Sequence, residues 1–179
     1  FSVSAILSCW ALLPITISSR SQPHIPERAK SSLKKIIGFA PLAVATSALS
    51  GLAMGAFWGM APLYASKLGF GLSEVGLLMS LTIVGGALLQ IPIGRFSDTQ
   101  DRRKVLVVVA ALAAGVCLMM PLAWSNTSLM AVFFVWGGLS FSLYPLGVAQ
   151  LLDQLHPDEV VSGSTDMLVL HGAGAALAP

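Results

Sequence analysis

Charge is the feature that this sequence has least of. Only 10% of its 179 residues are Asp, Glu, Lys or Arg, whereas about one quarter of the residues of a soluble domain are usually charged. Hydrophobic residues make up 55% of the chain. A water-soluble fold would leave more apolar surface than so few charges can cover. The composition therefore excludes an ordinary soluble domain and indicates an integral membrane protein.

Cysteine and catalytic patterns are also scarce. Cys9 and Cys117 lie inside apolar stretches without a ligand pattern, so neither a disulfide framework nor a metal site is indicated. The sequence lacks a Ser/His/Asp arrangement with supporting glycines and a glycine-rich phosphate loop. An enzyme is therefore disfavoured, and no catalytic residue, metal or cofactor is predicted.

Long uncharged stretches take the place of charge. Residues 75–94 and 105–152 contain no Asp, Glu, Lys or Arg, and a transmembrane helix needs about 20 consecutive apolar residues. The longer stretch divides at the polar residues 124–128. We therefore predict an all-α polytopic membrane bundle, with spans at about 1–18, 37–63, 73–94, 105–124, 129–151 and 160–179.

The first and last spans look incomplete. Residues 1–18 lack both a preceding basic stretch and a small-x-small cleavage site followed by a soluble domain, which disfavours a signal peptide. We expect 1–18 to be the end of a preceding helix and 160–179 to be a truncated span. Within the bundle, Gly51-x-x-x-Gly55-x-x-x-Gly59 and Gly172-Ala173-Gly174-Ala175 are spaced for close helix contact.

Basic residues mark one side of the membrane. Nine of the ten Lys and Arg fall in the connections 19–36 and 95–104, and the tenth, Lys67, lies on the opposite side. The positive-inside rule therefore places these connections, and 152–159 with them, in the cytoplasm. Segment 19–36 also contains prolines and serines, which favours a flexible linker; a lipid-binding polybasic segment is the alternative.

The densest charge occurs at residues 94–104, between two apolar stretches. Its order is Gly94-x-x-x-Asp98-x-x-Asp101-Arg102-Arg103-Lys104. This spacing resembles the cytoplasmic loop signature of the major facilitator superfamily, G-x-L-A-D-R-x-G-R-K. That signature lies between the second and third helices and, in weaker form, between the eighth and ninth. The matching residues are Gly94, Phe96, Ser97, Asp98, Arg102 and Arg103, while Thr99 and Asp101 depart from the pattern.

The resemblance carries an assignment for most of the chain. The departures and the basic linker suggest the second copy of the signature, so that 1–18 is the end of helix 6, 19–36 is the central cytoplasmic linker, and 37–179 is the C-terminal bundle from helix 7 into helix 11. Segments 60–64, 90–94 and 143–145 are similar to the YcaD-like branch of the superfamily.

The resemblance also implies a function. It is that of a secondary active transporter in the bacterial inner membrane, which moves a small solute by alternating access coupled to protons. Its partners are then the solute, the lipid bilayer and the N-terminal half of the same transporter, with no nucleic acid. The alternative is a transporter-like membrane sensor or scaffold without transport activity.

The charged hairpin has physical roles of its own. Gly94 is expected to let the helix end tightly where backbones crowd. Asp98 can accept hydrogen bonds from a helix N-terminus or an arginine. The resemblance implies that the contacts of Asp98, with a partner in the N-terminal half, latch the cytoplasmic side shut. Arg102 and Arg103 either meet lipid headgroups or only set the topology.

Ionisable residues inside spans are candidates for a substrate or proton pathway. Counted from Glu159, Asp166 lies about 10 Å and His171 about 18 Å along the helix. His171 is thus near the bilayer middle, where transporters of this type place their sites, and an imidazole can exchange protons near neutral pH. The alternatives are a histidine bonded to a neighbouring helix and an interfacial Asp166. Because the two residues lie about 140° apart, no relay between them is expected.

Polar and aromatic residues form a stripe on the span 129–151. Trp136, Ser140 and Tyr144 recur every four residues, which places them on one side of a helix. Such a stripe can line a cavity and stack against a sugar or an aromatic compound. The alternative is ordinary helix packing.

Overall fold

The structure is a computed structural model that describes residues 9–10 and 33–178. Residues 33–178 form six α-helices and no strand, which confirms the predicted all-α fold. The expectations for 1–18 and 19–36 fall almost entirely outside the described residues. The helices are α1 Leu33–Phe39, α2 Pro41–Lys67, α3 Leu72–Thr99, α4 Arg102–Met119, α5 Asn126–Leu152 and α6 Val160–Leu177, with 3₁₀ turns at Met120–Leu122 and Pro157–Glu159.

Four of the described helices are long and apolar enough to cross a membrane. They are α2, α3, α5, and α4 together with the turn that follows it. Helix α6 is not among the four; its 18 residues include Asp166 and His171, which lower its hydropathy. Length and composition therefore agree with a multi-pass membrane protein.

Helix α2 begins at Pro41, and this proline sets the start of the helix. Ala40 has φ −128° and ψ 54°, outside the helical region, because a following proline disfavours that region. Pro41 then occupies the first turn, where its missing N–H costs no hydrogen bond. The predicted span 37–63 is thus divided between the end of α1 and most of α2. Ile36 and Ala40 beside the break are 5% and 1% exposed, so the break is packed against the bundle.

Helix α3 extends beyond its predicted end at Gly94. It continues to Thr99, and only Gln100 and Asp101 separate it from α4. A Cβ placed on Gly94 would meet no atom within 4 Å in the part of the chain described. The prediction that Gly94 ends the helix at a crowded point was therefore wrong. The physical reason is that the backbone hydrogen bonds of a helix do not need an apolar environment. Helix α3 therefore continues past Gly94 through the polar residues up to Thr99.

Glycines allow two pairs of helices to touch through their backbones. At the α2–α6 crossing, a Cβ on Gly51, Gly55 or Gly174 would overlap a backbone carbonyl of the other helix. At the α3–α5 crossing the same holds for Gly85 and Gly137. This confirms the close contact predicted for Gly51, Gly55 and Gly174, whereas Gly59 of the same spacing is exposed. The first crossing holds the candidate site.

Candidate functional site

Three helices bring polar side chains together inside the bundle. Ser47 and Ser50 come from α2, Tyr144 from α5 and His171 from α6. The two serines are 0% and 1% exposed, and the two rings are half-buried. On α2, Ser50 lies about 14 Å from the first residue of a helix about 40 Å long. We call these four residues the polar cluster.

Hydrogen bonds join the polar cluster across the α2–α6 crossing. The Ser47 hydroxyl donates to the carbonyl oxygen of Met167 at 2.7 Å. The Ser50 hydroxyl donates to the carbonyl oxygen of Ser47 at 2.9 Å, and its oxygen lies 2.9 Å from Nδ1 of His171. His171 is therefore hydrogen-bonded to a neighbouring helix, which was one of the alternatives considered for this residue.

Tyr144 completes the surroundings of the imidazole. Its ring centroid lies 4.6 Å from that of His171, with the ring planes inclined by 50°. Tyr144, one of the three residues of the predicted stripe, thus contacts His171, the predicted proton-pathway residue. It joins α5 to the α2–α6 pair.

The rest of the stripe lies elsewhere. Trp136 is 8% exposed and packs against Phe57, with ring centroids 5.8 Å apart, and against Phe133 at 6.3 Å. Ser140 is 2% exposed. These positions support the helix-packing alternative for Trp136, whereas Tyr144 alone of the three contacts His171.

Asp166 lies on the buried side of α6. It is 5% exposed, and its neighbour Met167 is fully buried against Ala43 and Leu151. The depth along the helix was predicted, but the burial was not.

A second group of polar residues lies at the end of the bundle that carries the charged hairpin. Nη2 of Arg102 lies 2.8 Å from Oδ1 of Asp98, and its Nε lies 3.3 Å from Oδ2 of Asp153, the residue that follows α5. The motif arginine therefore joins the hairpin to α5. Asp101 caps α4 by accepting a hydrogen bond from the N–H of Arg103 at 3.0 Å.

A cleft of about 810 Å³ lies at the same end of the bundle. Its lining includes Asp98, Arg102, Arg103, Gln150 and Asp153. The Oε1 atom of Gln150 is buried and accepts no hydrogen bond from the described residues. The cleft thus combines charges of both signs.

An ion pair ties α1 to the start of α6. Nζ of Lys35 donates to Oε1 of Glu159. This hydrogen bond lowers the pKa of Glu159 below its ordinary value of 4.5, because it favours the ionised carboxylate. Lys35 had been counted only as a topology marker.

Sequence reasoning missed the two serines and Asp153. Ser47 and Ser50 are polar residues three apart in a largely apolar span, and Ser50 directly precedes the glycine that makes the close crossing. That spacing was a usable signal, since intramembrane polar residues face protein neighbours. Asp153 gave no local signal, because its pairing with Arg102 depends on how α4 and α5 pack.

The architecture defines a class of protein: a polytopic α-helical membrane protein with a half-buried histidine between its helices and a charged hairpin at one end. Comparison with known sequences gives the family. The Major Facilitator Superfamily matches residues 1–179, and the chain belongs to that superfamily. It is thus an integral, multi-pass membrane protein.

The similar proteins are bacterial. The chain is 26% identical over 171 residues to the uncharacterized MFS-type transporter YcaD of Escherichia fergusonii, covering 94% of this chain and 44% of that protein. It is 29% identical over 173 residues to an uncharacterized MFS-type transporter of Enterobacter sp. strain 638, with the same coverage. For YcaD of Escherichia coli O9:H4 the identity is 27% over 178 residues, covering 97% and 45%.

The chain therefore spans a little under half the length of these relatives, and it is similar to the YcaD-like branch. No solved structure matches it.

Proposed function

We propose that this chain is most of the C-terminal half of a secondary active transporter, which moves a small solute by alternating access coupled to protons. In this proposal 1–18 ends helix 6, 19–36 is the central cytoplasmic linker, and 37–179 runs from helix 7 into helix 11. The family, and the transporter names of the relatives, support transport. The enterobacterial relatives support a location in the bacterial inner membrane.

The observation that carries the coupling proposal is the position of His171. Its imidazole is bonded to Ser50 at 2.9 Å and contacts the ring of Tyr144 at the crossing of apolar helices. Ionisable residues at membrane depth are costly and mark ion or substrate pathways. A histidine exchanges protons near neutral pH. His171 is therefore the proton carrier of this proposal, with Tyr144 as the residue beside it that contacts the solute.

The charged cytoplasmic residues have a separate role in the proposal. Arg102 is paired with both Asp98 and Asp153, so it connects the hairpin with the end of α5. The family resemblance supports a latch in which Asp98 also contacts the N-terminal half. Arg103, which lines the same cleft, is the remaining basic residue of the motif proposed to contact that half.

The test uses the full-length transporter in liposomes that contain a pH-sensitive dye. Solute-dependent proton movement is expected for the wild type and is expected to be lost in His171→Gln. His156→Gln is the matched control, because His156 is an exposed residue of the cytoplasmic turn, and it should behave as the wild type.

Two results would contradict the proposal. If His171→Gln kept its pH-dependent uptake, the coupling role of His171 would be wrong. If the wild type moved neither protons nor solute across a broad solute panel, the sensor or scaffold alternative would be favoured.

A further inference from the structure

The Ser50 hydroxyl has two neighbours and only one hydrogen. Its oxygen lies 2.9 Å from the carbonyl oxygen of Ser47 and 2.9 Å from Nδ1 of His171. A serine hydroxyl has one donor and two acceptor lone pairs, and a carbonyl oxygen only accepts. Both contacts are hydrogen bonds at the same time only when Ser50 donates to Ser47 and accepts from an N–H at Nδ1.

We infer that Ser50 is a positioning residue that holds neutral His171 as the tautomer with hydrogen on Nδ1, which leaves Nε2 as the proton-accepting atom. The hydrogen bond at one ring nitrogen of a histidine sets the state of the other. This inference deepens the proposed function and relies on it for the role of the proton, while the tautomer itself follows from the contacts alone.

The surroundings of the ring agree with this assignment. The structure gives Nε2 of His171 no hydrogen-bond partner among the described residues, and the ring is half-buried. The described groups shown in contact with the ring are the Ser50 hydroxyl on α2 and the ring of Tyr144 on α5. Asp166, the other ionisable side chain of α6, lies five residues before His171 and about 140° around the helix from it. The Ser50 hydroxyl carries no charge and holds the ring by a hydrogen bond.

The tautomer restricts what the site can receive. A neutral imidazole with hydrogen on Nδ1 presents only a lone pair at Nε2. That atom accepts a proton, or a hydrogen bond from a hydroxyl or amino group of a solute. It offers nothing to a carboxylate until it has taken up a proton. The order of events for a solute acid would then be proton first and anion second.

The experiment is ¹⁵N NMR of the full-length transporter labelled at histidine, recorded at a pH where the ring is neutral. His171→Gln identifies the signals of the residue by their loss. One-bond coupling to hydrogen is expected at Nδ1, with Nε2 showing the shift of an unprotonated nitrogen. Ser50→Ala should change the tautomer ratio by about fivefold, the effect of losing one ordinary hydrogen bond.

Two further variants separate positioning from general packing. Ser47→Ala removes a hydroxyl from the same crossing but keeps the backbone carbonyl that Ser50 uses, so its spectrum should match the wild type. Ser50→Thr keeps the hydroxyl and should restore the wild-type tautomer.

Hydrogen on Nε2 in the wild type would overturn the inference, and that spectrum decides even if a variant fails to fold. An unchanged tautomer in a folded Ser50→Ala would overturn the role of Ser50. Uptake that is indifferent to His171→Gln would contradict only the proposed coupling, since the tautomer is measured without transport.

Discussion

Gly174 offers a direct test of the helix packing around the candidate site, because Gly172, two residues earlier in the same helix, serves as its control. A Cβ on Gly174 would overlap the carbonyl oxygen of Ala48 and lie 3.1 Å from the backbone nitrogen of Leu52. A Cβ on Gly172 would meet nothing within 4 Å among the described residues. Both variants replace a glycine of α6 by alanine. They differ only in whether the new methyl group meets another helix.

The magnitude follows from what must move. Non-bonded carbon contacts are optimal at about 3.5–4.0 Å, and the obstacle at Gly174 is helix backbone, which cannot rotate away as a side chain can. Helices α2 and α6 must separate instead, and overpacking of this kind costs about 1–3 kcal/mol. Replacing glycine in a helix gains up to about 1 kcal/mol in either variant. That gain cancels between the two, so Gly174→Ala should be less stable than Gly172→Ala by about 1–3 kcal/mol.

The assay is thermal unfolding of the purified full-length protein in one detergent, followed by loss of the monodisperse peak in size-exclusion chromatography. The expected order of midpoints is Gly172→Ala at or above the wild type, then the wild type, then Gly174→Ala. Equal midpoints for the two variants would refute the close α2–α6 crossing. A lower midpoint for Gly172→Ala than for Gly174→Ala would refute the assignment of the packed face.

Two of the ion pairs, Arg102–Asp153 and Lys35–Glu159, give the remaining predictions. Asp153→Asn should lower the free energy of unfolding by no more than about 1 kcal/mol, because partly exposed ion pairs are weak. A double-mutant cycle with Arg102→Gln measures the coupling energy of the pair. A coupling energy well above this value would show that the pair is stronger than its exposure implies. The hydrogen bond from Lys35 lowers the pKa of Glu159 in the folded protein. The ion pair therefore stabilises the fold above the unfolded-state pKa of Glu159, and this stabilisation is lost as pH falls through the lowered folded-state pKa. Hydrogen exchange of residues 33–39 should therefore be faster in Glu159→Gln than in the wild type at neutral pH, with the two converging in acid; a difference that persists unchanged in acid would contradict this.

The fold was largely predictable because bilayer thickness and charge act on the sequence directly. Uncharged stretches of sufficient length predicted the long helices α2 to α5, and the polar residues 124–128 correctly separated α4 from α5. The end of α3 was not predictable in the same way. Hydropathy locates the membrane boundary near Gly94, whereas the helix ends at Thr99, where the backbone turns before the Asp101 cap. A membrane boundary and a helix end are different physical events.

The site was predictable in part. His171 stood out because a titratable residue in an apolar span is costly, and Tyr144 was singled out by its spacing. Neither the contact between them nor the role of Ser50 follows from spacing within one helix. Both depend on which faces of α2, α5 and α6 meet, and sequence periodicity within each helix does not set those contacts across a crossing.

Gly51 connects the packing of the bundle with its proposed chemistry. It directly follows Ser50, and a Cβ there would overlap the carbonyl oxygen of His171. The backbone of α6 thus rests on α2 at the residue beside the serine, and this contact sets the 2.9 Å separation between the Ser50 hydroxyl and Nδ1. Hydrogen bonds of this kind tolerate only a few tenths of an ångström around about 3 Å. A movement that parts α2 from α6 by about 1 Å must therefore release the imidazole, so that helix separation and the state of His171 are linked by geometry.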